Sequence, residues 1–270
     1  MAENSKIEWC DHTFNPWVGC TKISPACDNC YAESWAKRAG SPELWSGERR
    51  RTTPANWQKP LAWNRKAASE GRRYRVFCAS LADVFDNEVP DEWREDLWDL
   101  VLRTPNLDWL LLTKRIGNAR HMLPDDWHDG YPNVWIGATV VNQAEADRDV
   151  PKLLKIPAVV RFLSCEPLLG PIDLRTLPSA SGIGRHLDAL SNAGVDRGAL
   201  FPHALDWVIV GGESGHNARP LNILCCKFLR KQCEDSDTAF FMKQGSQANW
   251  PSFKDFSSFP PSLHVREFPR

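Results

Sequence analysis

The sequence predicts an α/β fold, specifically a partial or irregular (β/α) barrel with parallel strands and with helices outside. Two observations predict it. Strand-like and helix-like segments alternate along the chain, which is typical of a parallel sheet with right-handed helical crossovers. About seven segments have strand character, one short of a complete eight-stranded barrel, although the 270 residues match the ~250 that a complete barrel needs. A doubly wound open sheet is the alternative.

The strand-like segments are continuous apolar runs or are rich in β-branched and aromatic residues, as expected for strands covered on both faces. In chain order they are 6–10, 74–80, 108–114, 133–140, 158–168, 206–215 and 239–245. The run DWLLLTK at 108–114 is the most apolar of them, and the segment at 206–215 ends in a glycine turn.

The helix-like segments have helical spacing of apolar residues or helix-favouring composition. They are 30–39, 90–104, 142–156 and 222–236. In the second of them Trp93, Leu97 and Val101 share a face and Pro90 precedes the start. We expect Pro151 to interrupt the third, because proline has no N–H to donate within a helix.

We expect one α/β domain over residues 1–250, with a Gly/Ser-rich insertion near 175–205. The Pro-rich segment 251–270 lacks periodicity and is expected to pack along the surface as a C-terminal tail. No window approaches eighteen apolar residues and the N-terminus has no apolar stretch, so we expect a cytoplasmic protein without membrane contact.

Charge gives little guidance about partners, because the formal net charge is only −1. A local basic patch remains open at 47–60, where Arg49, Arg50 and Arg51 are consecutive, although a solvated loop is the simpler interpretation. The nine cysteines are an odd number in a chain expected to be cytoplasmic, which argues against a disulfide framework.

Charged and polar residues follow most of the strand-like segments, and active sites of parallel α/β folds form at the carboxyl ends of strands. A charge at the end of an apolar strand is costly unless it is paired or binds something. We therefore interpret these residues as the rim of a functional site. They include Asp83, Lys114, Glu166, Gly211, Gly212, Glu213, Ser214 and Lys243.

The most informative segment is GCTKISPACDNCYAE, residues 19–33, which we call the cysteine loop; it contains Cys20, Cys27 and Cys30. A structural zinc site needs four ligands, and Cys10 or His12 could supply the fourth. Cys27 and Cys30 could also form a thioredoxin-like redox pair. Such a pair normally begins a helix directly after a strand and has no third cysteine upstream, so this interpretation is less favoured. Buried cysteines also behave as small hydrophobes, but that fits a loop rich in Gly, Pro, Asn and Asp poorly.

A [4Fe–4S] cluster would explain why the loop has three cysteines. Cysteine thiolates hold such clusters, and three thiolates leave one of the four irons without a protein ligand. An open iron can chelate the amino and carboxylate groups of S-adenosylmethionine. One electron from the reduced cluster then cleaves the sulfonium and releases a 5′-deoxyadenosyl radical, while the protein supplies binding and orientation. Tyr31 directly follows the last cysteine, where its ring could pack near the adenine or, equally, in the helix core.

Seven stretches together carry a family resemblance that spans nearly the whole chain. They are the cysteine loop, DVF (83–85), LLTKR (111–115), VWIGATV (134–140), SCEPLLGPI (164–172), VIVGGESGHNARP (208–220) and FMKQG (241–245). The chain resembles radical S-adenosylmethionine (radical-SAM) enzymes, and more closely the phage-associated three-Cys-motif family, whose function is unknown. The resemblance implies a barrel of the radical-SAM type, a [4Fe–4S] cluster, S-adenosylmethionine and an electron donor such as flavodoxin or ferredoxin.

On this interpretation Cys20, Cys27 and Cys30 hold the cluster, and it is open whether Cys10 is incidental or a fourth ligand. Cofactor contacts are expected from Tyr31, Asp83, Gly211, Gly212, Glu213 and Ser214, and catalytic contacts from Glu166, Lys114 and Lys243. The phage association and the arginines suggest nucleic acid or a nucleotide as substrate; a partner protein is also open. One alternative is a zinc-binding structural or nucleic-acid-interaction protein using the same cysteines. Another is an enzyme in which Glu166 and Glu213 bind a divalent ion.

Overall fold

The computed structural model describes residues 3–178, 186–191, 204–250 and 253–269. Its main sheet contains seven parallel strands in the order β1-β4-β5-β6-β7-β10-β11, with helices in the connections. The predicted α/β class is thereby confirmed, and the parallel sheet with helical crossovers is consistent with a partial (β/α) barrel. None of the described helices combines the length and the apolar character needed to span a lipid bilayer.

The strands and helices have the following bounds. The strands are β1 His12–Phe14, β2 Trp17–Val18, β3 Arg50–Arg51, β4 Tyr74–Cys78, β5 Leu107–Thr113, β6 Val134–Thr139, β7 Val160–Cys165, β8 Leu177–Pro178, β9 His186–Leu187, β10 Trp207–Gly211 and β11 Ala239–Gln244. The helices are α1 Tyr31–Arg38, α2 Pro54–Trp57, α3 Lys59–Glu70, α4 Asp91–Leu102, α5 Ile116–Met122, α6 Gln143–Leu153 and α7 Ile223–Glu234.

The chain forms two compact units, and the first comprises Met1–Ser24, Cys30–Ile136 and Pro157–Val159. Within it β4 pairs in parallel with β1 and β5, so that Val76 lies opposite both His12 and Trp109. Aromatic residues fill its core, where Phe14 packs edge-on against Trp109. Helix α3 ends at Gly71, which adopts the left-handed conformation that terminates helices without a Cβ penalty.

The second unit comprises Pro25–Asn29, Gly137–Ile156 and Val160–Arg270. Within it β10 lies between β7 and β11, and all three strands are almost completely buried. The pairing of β10 with β11 shifts register between Val210 and Gly211. Such irregularities re-aim the chain near functional sites, and this one directly precedes the glycine turn.

Two predictions of local structure are wrong. Residues 6–10 form a turn, closed by the bond from the Cys10 amide to the Ile7 carbonyl (3.2 Å), and the first strand begins later, at His12. Pro151 does not interrupt α6, because it lies in the last turn and the helix continues to Leu153. The predictions also missed α2, α3 and α5.

Only part of the predicted insertion near 175–205 lies in the described residues, and there β8 and β9 form a small antiparallel pair. Residues 179–185 and 192–203 lie outside the described residues. In the C-terminal segment Phe259 and Leu263 are buried, and Arg266 forms an antiparallel bridge with Phe241 of β11.

Lowering the pH from 7.5 to 5.5 is expected to destabilise the protein partly through His12. Its ring is buried against Trp63 (centroids 4.4 Å apart), and its Nε2 has no hydrogen-bond partner in the described part of the chain. Burial lowers the pKa of His12, so below the ordinary value of ~6.5 the unfolded chain binds a proton that the folded chain does not. The stabilisation is therefore present above that pH and is lost as the pH falls.

Urea unfolding at pH 7.5, 6.5 and 5.5 measures this effect. His12→Gln should flatten the pH dependence of the unfolding free energy over this range, whereas the exposed control His121→Gln should leave it unchanged. Equal pH dependence in the wild type and His12→Gln would show that His12 is not responsible.

Candidate functional site

The cysteine loop connects β2 to α1, and its three thiols are free. Cys27 is buried at the end of a short 3-10 helix, Pro25–Cys27. Cys20 and Cys30 are half-buried, and Cys30 is the residue that precedes the first turn of α1. The loop thus offers three soft sulfur ligands with little secondary structure to restrain them.

In the first unit, Asp83 is the centre of a buried polar network after β4. Its Oδ1 accepts hydrogen bonds from the Thr113 hydroxyl (2.7 Å) and the Phe85 amide (3.0 Å). Its Oδ2 accepts from the Lys114 amide (3.1 Å) and the Arg115 guanidinium (3.4 Å). Four protein donors therefore occupy the carboxylate that the sequence suggested for cofactor contact, and in this structure Asp83 orients the residues after β5.

The Arg115 guanidinium extends this network to the cysteine loop. One N–H donates to the sulfur of Cys20 (3.4 Å) and another to the Thr21 carbonyl (2.9 Å). Burial, and then the negative charge of Asp83, raise the pKa of the Cys20 thiol, and Arg115 offsets part of this rise. The first cysteine of the loop is thus in direct contact with a buried cation.

The three consecutive arginines do not form a free basic patch. Arg49 is buried and pairs with Asp86 (2.7 Å), and it also donates to the Thr21 hydroxyl (2.8 Å). Arg50 pairs with two glutamates. Arg51 pairs with Asp96 at 2.6 Å and stacks on Trp57. Because each charge is balanced locally, this stretch gives no electrostatic support to nucleic-acid binding.

Two further predicted residues of the first unit present accessible groups. Tyr31 is 54% exposed, and its hydroxyl donates to the Ser80 carbonyl (2.6 Å), which fixes the ring beside the cysteine loop. Lys114 is half-buried, and its ammonium forms no ion pair among the described residues. A ring of this kind can stack on a flat ligand, and such a cation can bind an anionic one.

In the second unit, Glu213 and Arg219 hold the middle of the cysteine loop. Glu213 accepts from the Arg219 side chain (2.6 Å) and backbone (2.7 Å), and from the Asn29 amide (3.0 Å). Arg219 also donates to the Pro25 carbonyl (2.8 Å) and the Asp28 carboxylate (3.0 Å). Burial alone would raise the pKa of Glu213, but the hydrogen bonds from Arg219 and Asn29 outweigh it and lower the pKa.

The other predicted residues of the second unit lie at the ends of β7, β10 and β11. The Lys243 ammonium pairs with the Glu166 carboxylate (2.7 Å), to which the Ser164 hydroxyl also donates (3.2 Å). A Cβ on Gly211 would lie 2.8 Å from that carboxylate, so a larger residue there would require the Glu166 side chain to shift. Gly212 is more tightly constrained, because a Cβ there would lie 2.6 Å from the Ser246 backbone nitrogen, which a side-chain movement cannot relieve. Ser214 is exposed.

The thiols fit an iron–sulfur cluster in their chemistry, since they are free, three in number and close in sequence. As placed in the described part of the chain, however, no three His, Cys, Asp or Glu side chains form a group that could bind a metal ion. The thiol of Cys10, the cysteine considered as a fourth ligand, contacts the Ile7 carbonyl at 3.8 Å.

Gly19→Ala is expected to destabilise the protein by about 2–4 kcal/mol, because two penalties combine. Gly19 has φ +112°, and a Cβ there would lie 2.4 Å from the Glu48 carbonyl oxygen. Gly47→Ala is the matched control, since Gly47 has φ +125° and open space around it. Urea unfolding of both variants should show a larger loss for Gly19→Ala; equal losses would mean that the clash does not matter.

The strand-end pattern identified many of these residues but missed Asn29 and Arg49, which also anchor the cysteine loop. Asn29 bonds to Glu213 across 184 residues of sequence, and Arg49 bonds to Asp86 across 37. No spacing pattern links residues so far apart. The sequence offered one signal: Asn29 lies in the cysteine loop and Arg49 near it, and the backbone of an irregular loop needs hydrogen-bond partners.

Comparison with known protein families gives one match. A family model described as a protein of unknown function, DUF5131, matches residues 4–256. Comparisons with curated proteins and with solved structures give no match.

Proposed function

We propose that this chain, which belongs to the DUF5131 family of proteins of unknown function, is an enzyme that cleaves S-adenosylmethionine reductively. In this proposal Cys20, Cys27 and Cys30 hold a [4Fe–4S] cluster. The observation that carries the proposal is a loop with three free thiols, the first of which contacts the buried guanidinium of Arg115. A thiolate that binds a metal accepts strongly from a cationic donor, whereas a neutral thiol is a weak acceptor, so the contact favours Cys20 as a metal ligand.

The residues around the loop act by holding it in place. Arg115 and Arg49 bind Thr21, next to Cys20, while Arg219 and Asn29 hold the segment that leads to Cys30. The backbone of the loop is thus anchored on either side of Cys27. When bound, the cluster would supply the electron that cleaves the sulfonium, and an external donor such as flavodoxin or ferredoxin would reduce it.

Three charged residues and one aromatic residue are assigned to ligand contact. Tyr31 offers a fixed, exposed ring for the adenine, and Lys114 offers an unpaired ammonium for an anionic group. Glu166 and Lys243 share a short ion pair (2.7 Å), through which both side chains are held at the ends of their strands. Glu213 acts indirectly, because its carboxylate is occupied by Arg219 and Asn29.

The proposal does not extend to nucleic acid on electrostatic grounds. Arg49, Arg50 and Arg51 are all neutralised by carboxylates. The other interpretation of the carboxylates, a divalent-ion site on Glu166 and Glu213, is disfavoured by the same kind of contact, since each already pairs with a cation of the protein. The substrate is therefore left open in this proposal.

Anaerobic purification and reconstitution with iron and sulfide test the proposed function. The expected result is a brown protein with about four iron and four sulfide per chain, which forms 5′-deoxyadenosine from S-adenosylmethionine after reduction by dithionite. Stoichiometric zinc, with no cleavage after reconstitution, would overturn the proposal and favour the structural-zinc alternative. Protein heated before reconstitution is the control for iron and sulfide bound non-specifically.

A further inference from the structure

Helix α1 is held in the first unit through one narrow apolar side. Of its eight residues only Ala32 and Ala36 are buried, and Ala36 packs against Val18 and Leu44. Because the packing side chains are alanines, all the larger side chains of the helix remain at least partly exposed. The helix begins directly after Cys30, so a ligand on its outer side lies next to the end of the cysteine loop.

The outer side of α1 presents two aromatic rings and one cation, which we call the aromatic face. Tyr31, Trp35 and Arg38 have the spacing i, i+4 and i+7, which places them on one face of a helix. Tyr31 is 54% exposed, Trp35 is 36% exposed, and Arg38 is also exposed. The Trp35 indole and the Arg38 guanidinium form no hydrogen bond or ion pair among the described residues. Both groups are therefore available to a ligand.

The charges around the aromatic face are mainly positive. Glu33 is the only carboxylate of α1, and it pairs with both Lys22 (2.7 Å) and Lys37 (2.8 Å). With Arg38, three cations lie on or beside the helix against this one carboxylate. The arginines at 49–51, by contrast, are each balanced by carboxylates. The charge of the aromatic face therefore favours an anionic ligand.

We propose that the aromatic face binds single-stranded nucleic acid, with a base stacked on Trp35 and a backbone phosphate bound by Arg38. Proteins commonly bind unpaired strands through aromatic rings beside cations, because every base has a flat face and every nucleotide carries a phosphate. Trp35 and Arg38 are three residues apart, about 4.5 Å along the helix axis, so a single nucleotide can reach both. A protein partner fits this face less well, since charged residues are depleted from the cores of protein interfaces.

Fluorescence anisotropy with labelled oligo(dT) and oligo(U) tests the proposal on the intact chain. We expect saturable binding, weakened about tenfold in Trp35→Leu, which keeps an apolar side chain but removes the flat ring. Trp35→Phe should bind nearly as well as the wild type, because phenylalanine retains a ring. In Arg38→Gln the plot of log affinity against log salt should be flatter by ~0.7, the slope expected for one phosphate of a single strand. Preference for one probe assigns the strand to DNA or RNA, and either preference supports the proposal.

Two matched controls lie elsewhere in the chain. Phe228→Leu removes another exposed aromatic ring of a helix, and Arg65→Gln removes another exposed arginine that has no ion pair among the described residues. Both variants should bind like the wild type. If Phe228→Leu weakens binding as much as Trp35→Leu, the strand does not bind at α1 and the proposal is wrong. If neither probe binds the folded wild type, the proposal is also wrong, and a protein becomes the better candidate for this face.

The result is separable from that of the proposed function, because binding of the strand needs no cluster. Tyr31 is the residue of this helix assigned above to the adenine of S-adenosylmethionine, and the test leaves it unchanged. Binding by protein that has not been reconstituted supports this inference even if the chain forms no 5′-deoxyadenosine. A cluster-loaded chain that cleaves S-adenosylmethionine but binds neither probe overturns this inference alone.

Discussion

Asp83→Ala is expected to lower the free energy of unfolding by about 3–5 kcal/mol, among the largest effects of any single substitution in the first unit. Asp83 is 4% exposed, and its carboxylate accepts four hydrogen bonds. Removing it leaves the Thr113 hydroxyl and two backbone amides without that acceptor. It also leaves the buried guanidinium of Arg115 with only the more distant Asp86 as a counter-charge.

Asp96→Ala is the matched control for this prediction. Asp96 also pairs with an arginine, Arg51, at 2.6 Å, but its side chain is 54% exposed. Exposed ion pairs contribute about 0–1 kcal/mol, so the control should unfold close to the wild-type urea midpoint. Similar losses in the two variants would show that burial does not strengthen the Asp83 network.

The same comparison explains what strand-end reasoning can and cannot detect. It located Asp83 correctly at the end of β4, because an acidic residue after an apolar strand must be paired or bound. It suggested that the carboxylate contacts a cofactor. In the structure the Thr113 hydroxyl and the Lys114 amide donate to it instead, and these donors lie about thirty residues away in sequence, too far for a local pattern to reveal them. The position of a charge is thus readable from one sequence, but its partner is not.

The elements of the fold likewise separate into those that the sequence predicts and those that it does not. Long apolar runs such as β5 and β10 are readable because burial on both faces leaves a continuous hydrophobic stretch. The first strand was misplaced because three residues, His12–Phe14, are too few for a periodic pattern and include a buried histidine. Helix α3 was missed because half of its positions are polar and only three of its residues, Pro60, Trp63 and Ala67, are buried.

Within the candidate site, the glycines after β10 mark places where other atoms approach the backbone closely. Gly211 and Gly212 were expected to let a ligand approach the backbone. The atoms that approach them are the protein's own: the Glu166 carboxylate at Gly211 and the Ser246 backbone at Gly212. A glycine turn signals close approach, but sequence does not reveal whether the neighbour is a ligand or another part of the chain.

Cys20→Ala is expected to abolish reductive cleavage of S-adenosylmethionine while the fold survives. The cluster would lose one of three ligands, and the cost to stability should stay near 1 kcal/mol, because Cys20 is only half-buried and lies in a loop. The measurements are 5′-deoxyadenosine formation after reconstitution and urea unfolding of the metal-free protein. In a structural zinc site the same substitution would instead cause a large loss of stability in the metal-loaded protein.

Cys10→Ala is the control, and it also tests whether Cys10 is a fourth ligand. Cys10 is buried in the turn before β1, with its thiol 3.8 Å from the Ile7 carbonyl. If three cysteines hold the cluster and one iron stays open for S-adenosylmethionine, Cys10→Ala retains both iron and cleavage. Loss of iron and of cleavage in Cys10→Ala as well would show that Cys10 is also needed to hold the metal, which would contradict the assignment of the cluster to three cysteines.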